Sequence, residues 1–284
     1  MQRLLAHGDV PPPPTWPGVL FEWPFEPLVW VACALALWLY LSGTRRVPSW
    51  PAARRASFVA GVGVLAVALA GPVAVYARAL FSVHMVQHLL LTFVVAPLIV
   101  LGTPLALAAR TPLRTRSARL VHSRPVRAVT HPIVAWCLFT LVMWLTHFSP
   151  LYDAALESEV LHVVEHALFG AAGLLFWWPL VGLDPGAAGR LGHPMRLLYL
   201  LVALPQQSFL GLAVYSAGEV LYPHYESLRR GWGPAPLADQ ALAGVLMWVI
   251  GDVLFIVALV FAVLAWMRHD EREARRIDRR LGLG

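Results

Sequence analysis

The chain has 284 residues, 58% of them hydrophobic and 13% charged, against roughly 25% charged in a soluble domain. That composition points to a membrane protein and away from a soluble globular one. The formal net charge of +6 invites a nucleic-acid reading, but the basic residues, all of them arginine, cluster where membrane topology requires them.

The chain opens on "MQRLLAHGDVPPPPTWPG", which lacks the apolar core of a cleavable signal peptide. Residues 1–25 read as a proline-rich, extended lead-in outside the membrane. A membrane helix needs about 20 mostly apolar residues. Seven such runs follow, at 26–42, 57–76, 80–101, 131–149, 160–182, 195–217 and 238–267. The fold class is therefore all-α, a polytopic bundle of seven membrane helices over 26–267. A basic tail at 268–284 follows it. Pro72, Pro97 and Pro205 fall inside runs, as membrane helices tolerate when neighbours satisfy the freed backbone. The small residues of "GVG" (61–63) and "GAAG" (170–173) suit close helix contact. Cys33 and Cys137 lie far apart in apolar runs with no C-x-x-C, so neither a redox centre nor a disulfide is expected.

Arginine placement sets the orientation. Arg45, Arg46, Arg54 and Arg55 follow the first run, and six arginines lie between Arg110 and Arg127. Arg190 and Arg196 precede the sixth run, and six more occupy the tail. These 18 share one side; Arg3, Arg78, Arg229 and Arg230 take the other. The N-terminus is expected outside and the C-terminus inside, in a bacterial cytoplasmic membrane.

On that topology the third run enters from outside with "HMVQH" (84–88), the fourth leaves near His147, and the fifth re-enters with "HVVEH" (162–166). Three spans thus bring His84, His88, His147, His162 and His166 to one membrane depth. Residues four apart share a helix face, and two imidazoles so placed can hold one metal ion. Glu165 follows His162 by three residues, and Gln87 follows His84 by three. Either can orient an imidazole, and Glu165 can also bind metal itself; a purely structural hydrogen bond serves Glu165 equally well. Met85 precedes His88 by three residues and offers a thioether, though core packing is its simpler role. Imidazole suits copper, zinc, iron and nickel, and thioether favours copper(I). Copper is the expected cofactor, with zinc or haem as alternatives. A lone membrane histidine more often serves helix–helix hydrogen bonding; five at one depth favour a site.

Other polar residues mark the same membrane. Asp252 sits mid-span, where an ionisable group faces the bundle interior. It reads as a structural partner of Gln206 or Gln207, a proton relay, or part of an ion path. Asp239 starts the seventh run level with the histidines; a cap of its own helix is the simplest role. Tyr152 and Asp153, in "HFSPLYDAALESE" (147–159), are placed to close a lid.

The segments "HMVQHLLLTFVVAPLIVLGTPL" (84–105), "WLTHFSPLYDAAL" (144–156) and "LHVVEHALFGAAGLLFWWPLVG" (161–182) together resemble the CtaG-type cytochrome c oxidase assembly factors, a multi-span family linked to caa-type oxidases. The resemblance covers roughly residues 25–267. It implies a role in maturing haem–copper oxidase, with oxidase subunits as partners and copper delivered from the outer side. The family's histidines fall on His84, His88, His147, His162 and His166, with Glu165 beside them. A haem-binding membrane oxidoreductase using the same histidines is the alternative. A di-metal lipid desaturase would need H-x-x-H-H boxes at the opposite face, and a transporter would use Asp252, Gln206 and Gln207. No G-x-S-x-G elbow and no P-loop occur, so no catalytic turnover is expected.

Overall fold

The computed structural model describes residues 10–21, 23–24, 26–181 and 191–281. Arg3 and Arg190, the first nine residues of the lead-in and the end of the tail lie outside the described residues. All regular structure among the described residues is helical. The lead-in is not wholly extended: a short helix α1 (Trp16–Phe21) follows the proline run, with Pro17 in its first turn. There its missing N–H costs nothing.

Helices α2 (Pro27–Arg45) and α3 (Ala52–Ala70) form the first hairpin, and α4 (Pro72–Ala77) continues α3 past a break at Gly71. The third span is composite. It runs through α5 (Phe81–Leu89), a π-helical segment (Leu90–Val95), α6 (Ala96–Leu101) and α7 (Pro104–Ala108). Short helices α8 (Arg114–Val121) and α9 (Arg124–Val129) lead to α10 (Pro132–His147). Then come α11 (Leu151–Glu157), α12 (Glu159–Val181), α13 (His193–Tyr215), α14 (Pro223–Ser227) and α15 (Pro236–Leu281). Six helices or composite helices are long and apolar enough to cross a membrane; α10 with α11, bent by 67°, makes a seventh. At 16 residues, α10 is shorter than the expected span, because the chain turns aside just after His147.

The expected tail is not separate. α15 runs 46 residues without interruption, about 69 Å at 1.5 Å per residue, against a hydrocarbon core of roughly 30 Å. Its last turns are charged, exposed and laced with i,i+4 pairs such as His269–Glu273 and Glu271–Arg275.

Cross-helix bonds define two ends. At one, Glu26 pairs with Arg78, and the Tyr222 hydroxyl donates to the His147 carbonyl. At the other, Tyr40 donates to the Gly102 carbonyl, Tyr199 donates to that of Phe176, and the rings of His193 and His269 meet. The arginine clusters lie at this second end.

The third span is the most buried, packed against α3, α12 and α15. Its π segment leaves one carbonyl to be satisfied from outside. Pro97 offers no N–H, so with five-residue spacing the Thr92 carbonyl loses its partner. The Trp177 indole N–H supplies one at 2.8 Å. Gly173 lets α12 come this close: a Cβ there would meet Thr92 Cα and the Ala96 methyl at 3.0 Å. Of the expected small-residue contacts, Gly61 and Gly173 are close packed, whereas Gly63 and Gly170 face open space. The tightest approach involves Gly211 on α13 and Gly244 on α15. A Cβ on Gly244 would stand 2.5 Å from the Tyr215 amide nitrogen.

Candidate metal centre

The hairpin between α4 and α5 positions the first histidine pair. In a continuous helix the Phe81 N–H would bond the Ala77 carbonyl. The break at 78–80 leaves both orphaned, and distant residues satisfy them separately. The Asp239 carboxylate accepts from Phe81 N–H at 2.7 Å and from the Ser82 hydroxyl at 2.5 Å. The Tyr225 hydroxyl donates to Ala77 O at 3.1 Å. Asp239 is thus not the cap of its own helix; it lies inside the first turn of α15 and caps the start of α5. The negative carboxylate also suits the positive end of that helix.

Four of the five expected histidines converge. His84 Nε2 and His88 Nε2 stand 2.9 Å apart. The ring centroids of His84 lie 5.4 Å from His162 and 5.9 Å from His166, and those of His162 and His166 lie 4.2 Å apart. Glu165 sits among them, its oxygens 3.6 Å from His84 Nε2, 3.8 Å from His88 Nε2 and 3.7 Å from His162 Nδ1. Two groups of three have ligand atoms all within 4.8 Å of one another: His84, His162 and His166; and His84, His88 and Glu165. His84, His88 and Glu165 are buried; His162 and His166 are half-buried.

His147 stands apart from both groups. Its ring centroid is 6.4 Å from that of His88, and its Nε2 faces the buried Met85 sulfur at 3.4 Å. Met85 is thus packed in the core and also directed at an imidazole.

The hydrogen bonds specify which ring nitrogens keep a lone pair. A hydroxyl has one proton, and that of Tyr225 goes to Ala77 O, so the Tyr225 oxygen accepts from His84 Nδ1–H at 3.0 Å. His84 Nε2 then carries the lone pair. Burial pushes the Tyr225 hydroxyl well above the usual tyrosine range, so it stays protonated. Gln87 donates its amide N–H to Ala68 O at 2.7 Å, so its oxygen accepts from His166 Nε2–H at 3.1 Å, leaving His166 Nδ1 the lone pair. Gln87 therefore orients His166 on the neighbouring span, not His84 on its own. His147 donates Nδ1–H to Met143 O at 2.6 Å, leaving Nε2 free to accept.

Tyr152 and Asp153 lie beside the cluster, and more of the chain joins them. Tyr152 on α11 is fully buried, its ring centroid 5.2 Å from His84 and 6.0 Å from His147. Asp153 accepts the backbone N–H of His224 at 3.2 Å, tying α11 to α14. Tyr222 and Tyr225, from "YPHYE" (222–226), complete an aromatic roof. The sequence reading passed over these two tyrosines and His224. A polar, aromatic-rich stretch in a loop at the histidine end was the available signal. The floor is apolar, with Phe169 stacked on His88 at 3.8 Å.

Asp252 is remote from this cluster. Its carboxylate meets the Ser208 hydroxyl at 2.8 and 2.9 Å rather than Gln206 or Gln207. Gln207 instead donates to the Met247 carbonyl at 3.3 Å, its side chain lying over Gly251. The Gln206 amide is buried without a hydrogen-bond partner among the described residues.

Can the donors present fit an ion? Each Glu165 oxygen is buried and receives no hydrogen bond, and neither does His88 Nδ1. The carboxylate–imidazole distances exceed hydrogen-bond length. They approach the roughly 3.4 Å that separates ligand atoms around a tetrahedral ion with bonds near 2.0–2.1 Å. The donor set of imidazoles and one carboxylate suits a borderline transition-metal ion.

The fold and the cluster define a class: a polytopic helical membrane protein with a buried histidine–glutamate centre at one end of its bundle. The cytochrome c oxidase caa3 assembly factor family matches over residues 38–269, and the chain belongs to that family. It is 32% identical over 302 aligned positions to uncharacterized proteins of Mycobacterium bovis and Mycobacterium tuberculosis, covering 98% of this chain and 46% of each relative. An uncharacterized protein of Mycobacterium leprae is 29% identical over 95% of this chain and 43% of its own. The chain thus spans less than half the length of these relatives. No solved structure matches it.

Proposed function

We propose that this chain serves haem–copper oxidase assembly by holding copper as cargo at the histidine–glutamate cluster and passing it to oxidase subunits. It turns over no small molecule. One observation carries the reading: the Glu165 carboxylate is buried with no hydrogen-bond donor, ringed by three histidine nitrogens at 3.6–3.8 Å. A buried carboxylate without a donor or cation is costly, and an ion held between it and the imidazoles removes that cost. Two further groups, Tyr225 and Gln87, hold imidazoles of the cluster in defined tautomers, as partners of metal-binding histidines do.

The arginine bias puts the cluster on the extracytoplasmic side of a bacterial cytoplasmic membrane. The packing favours a bare ion over haem. Phe169, Tyr152 and the neighbouring imidazoles fill the space around His84 and His88, where a porphyrin would need a wide flat slot.

The test is metal content. Wild type and a His84→Ala/His88→Ala variant, purified without chelators from copper-supplemented cells, are assayed for copper, zinc and iron. Copper in the wild type and its loss in the variant is expected. Equal metal content in both would refute the site, zinc alone would change the cargo, and a strong Soret band would replace the ion with haem.

A further inference from the structure

We propose that the cluster is not one site but two overlapping positions that a single ion occupies in turn, exchanging through His84. This rests on the reading that the cluster holds a metal cargo, and it adds a path and a direction. The outer position is His84, His162 and His166; the inner is His84, His88 and Glu165.

His84 belongs to both groups yet has one nitrogen to offer. Its Nδ1 is committed to the Tyr225 oxygen, whose proton is committed to Ala77 O. Only the Nε2 lone pair remains, and one lone pair serves one ion. The two positions are therefore mutually exclusive, and the cluster is not a binuclear centre.

Burial and charge then order the positions. The outer position has two half-buried imidazoles, and the His162 side chain keeps 20% of its exposure. It is the more exposed of the two. The inner position is sealed beneath Tyr152 and against Phe169, with His84 0%, His88 3% and Glu165 4% exposed. Three neutral imidazoles give the outer position no negative charge to hold a cation. The inner one adds a carboxylate in a low-dielectric setting, where a cation gains most. Glu165 Oε2 also stands 3.7 Å from His162 Nδ1, so negative charge stays within reach during the exchange. The inner position has a threshold as well. With His84 Nε2 as acceptor, His88 Nε2 is the donor of the 2.9 Å bond between them. An arriving ion must break that bond, and His88 must release or relocate the proton. Its Nδ1, which has no hydrogen-bond partner, can take it. The outer triad thus exchanges cargo and the inner triad retains it.

The experiment uses the full chain in detergent under anaerobic conditions. Copper(I) is titrated against a chromophoric chelator, and its transfer back to excess chelator is followed by stopped flow. Wild type should bind one copper per chain. His162→Ala/His166→Ala should still bind one but release it more slowly, by about tenfold or more, because the exchanging position is gone and affinity differences show mostly in release rates. Glu165→Gln should bind one and release it faster by a similar factor. Size-exclusion profile and helical circular dichroism check folding, and His162→Gln/His166→Gln replaces the alanine pair if that pair misfolds. Two coppers per wild-type chain would overturn the inference, as would wild-type release rates in either variant. Wild type binding no copper at all would instead overturn the reading under Proposed function, and this inference with it.

Discussion

Replacing Tyr225 with phenylalanine removes one oxygen and leaves the ring, so it opens no cavity of consequence. Two groups lose their partner: the Ala77 carbonyl at 3.1 Å and the His84 Nδ1–H at 3.0 Å. A buried group left unpaired costs about 1–3 kcal/mol. The carbonyl has no other remedy. His84 has one, which is to move its proton to Nε2, but that removes the lone pair needed for an ion. The substitution should therefore cost about 1–3 kcal/mol of stability through Ala77 alone. It should also weaken metal binding by about 10–100-fold, the usual effect of losing a group that orients a ligand. Thermal unfolding followed by circular dichroism reads the first effect, and copper(I) competition against a chelator reads the second. Wild-type copper affinity in a folded Tyr225→Phe protein would refute the tautomer assignment on which the cluster's chemistry is built.

Asp239→Ala should destabilise the protein more than a surface cap loss would, because two buried bonds to one carboxylate disappear and each charge-assisted bond is worth about 1.5–3 kcal/mol. The melting temperature measures it, and a shift no larger than that of an exposed Asp270→Ala control would count against the cross-helix cap. Gly173→Leu should overpack the contact with Thr92 and Ala96 and cost at least about 1–3 kcal/mol, whereas Gly170→Ala, facing open space, should be neutral; similar melting temperatures would dispute the close approach. Trp177→Phe should leave the Thr92 carbonyl unpaired at about 1–3 kcal/mol, and a folded variant with unchanged unfolding midpoint would show that the π segment satisfies this carbonyl in another way.

The amino-acid sequence determined the parts of this protein that depend on one helix at a time. Apolar run length located each span and its start to within about five residues, and the spacing in "HMVQH" and "HVVEH" placed each histidine pair on one face. Chain reversals then required both pairs to reach one end of the bundle. Periodicity describes the face of a helix but not the neighbour it meets, and there the sequence ran out. Asp239 lies at a helix start, so capping its own helix was the local reading; the broken turn at 78–80, 158 positions away in the case of Phe81, is what drew its carboxylate. Asp252, whose role the sequence left open among a partner in Gln206 or Gln207, a proton relay and an ion path, meets Ser208 instead, because Gln207 and Ser208 are neighbours in sequence yet project from α13 about 100° apart. Gln87 orients His166 because the third span and α12 pack side by side, which their separate patterns do not encode. His147 shares the depth of the other histidines, but its Nδ1–H is turned onto the Met143 carbonyl and its other nitrogen faces Met85, so depth did not mean membership. Tyr225 was invisible for the same reason: a loop residue becomes a tautomer clamp only when the loop folds back over the helix ends. Burial and helix faces follow from local composition, whereas hydrogen-bond partners between spans follow from rotation and register, which only the assembled bundle decides.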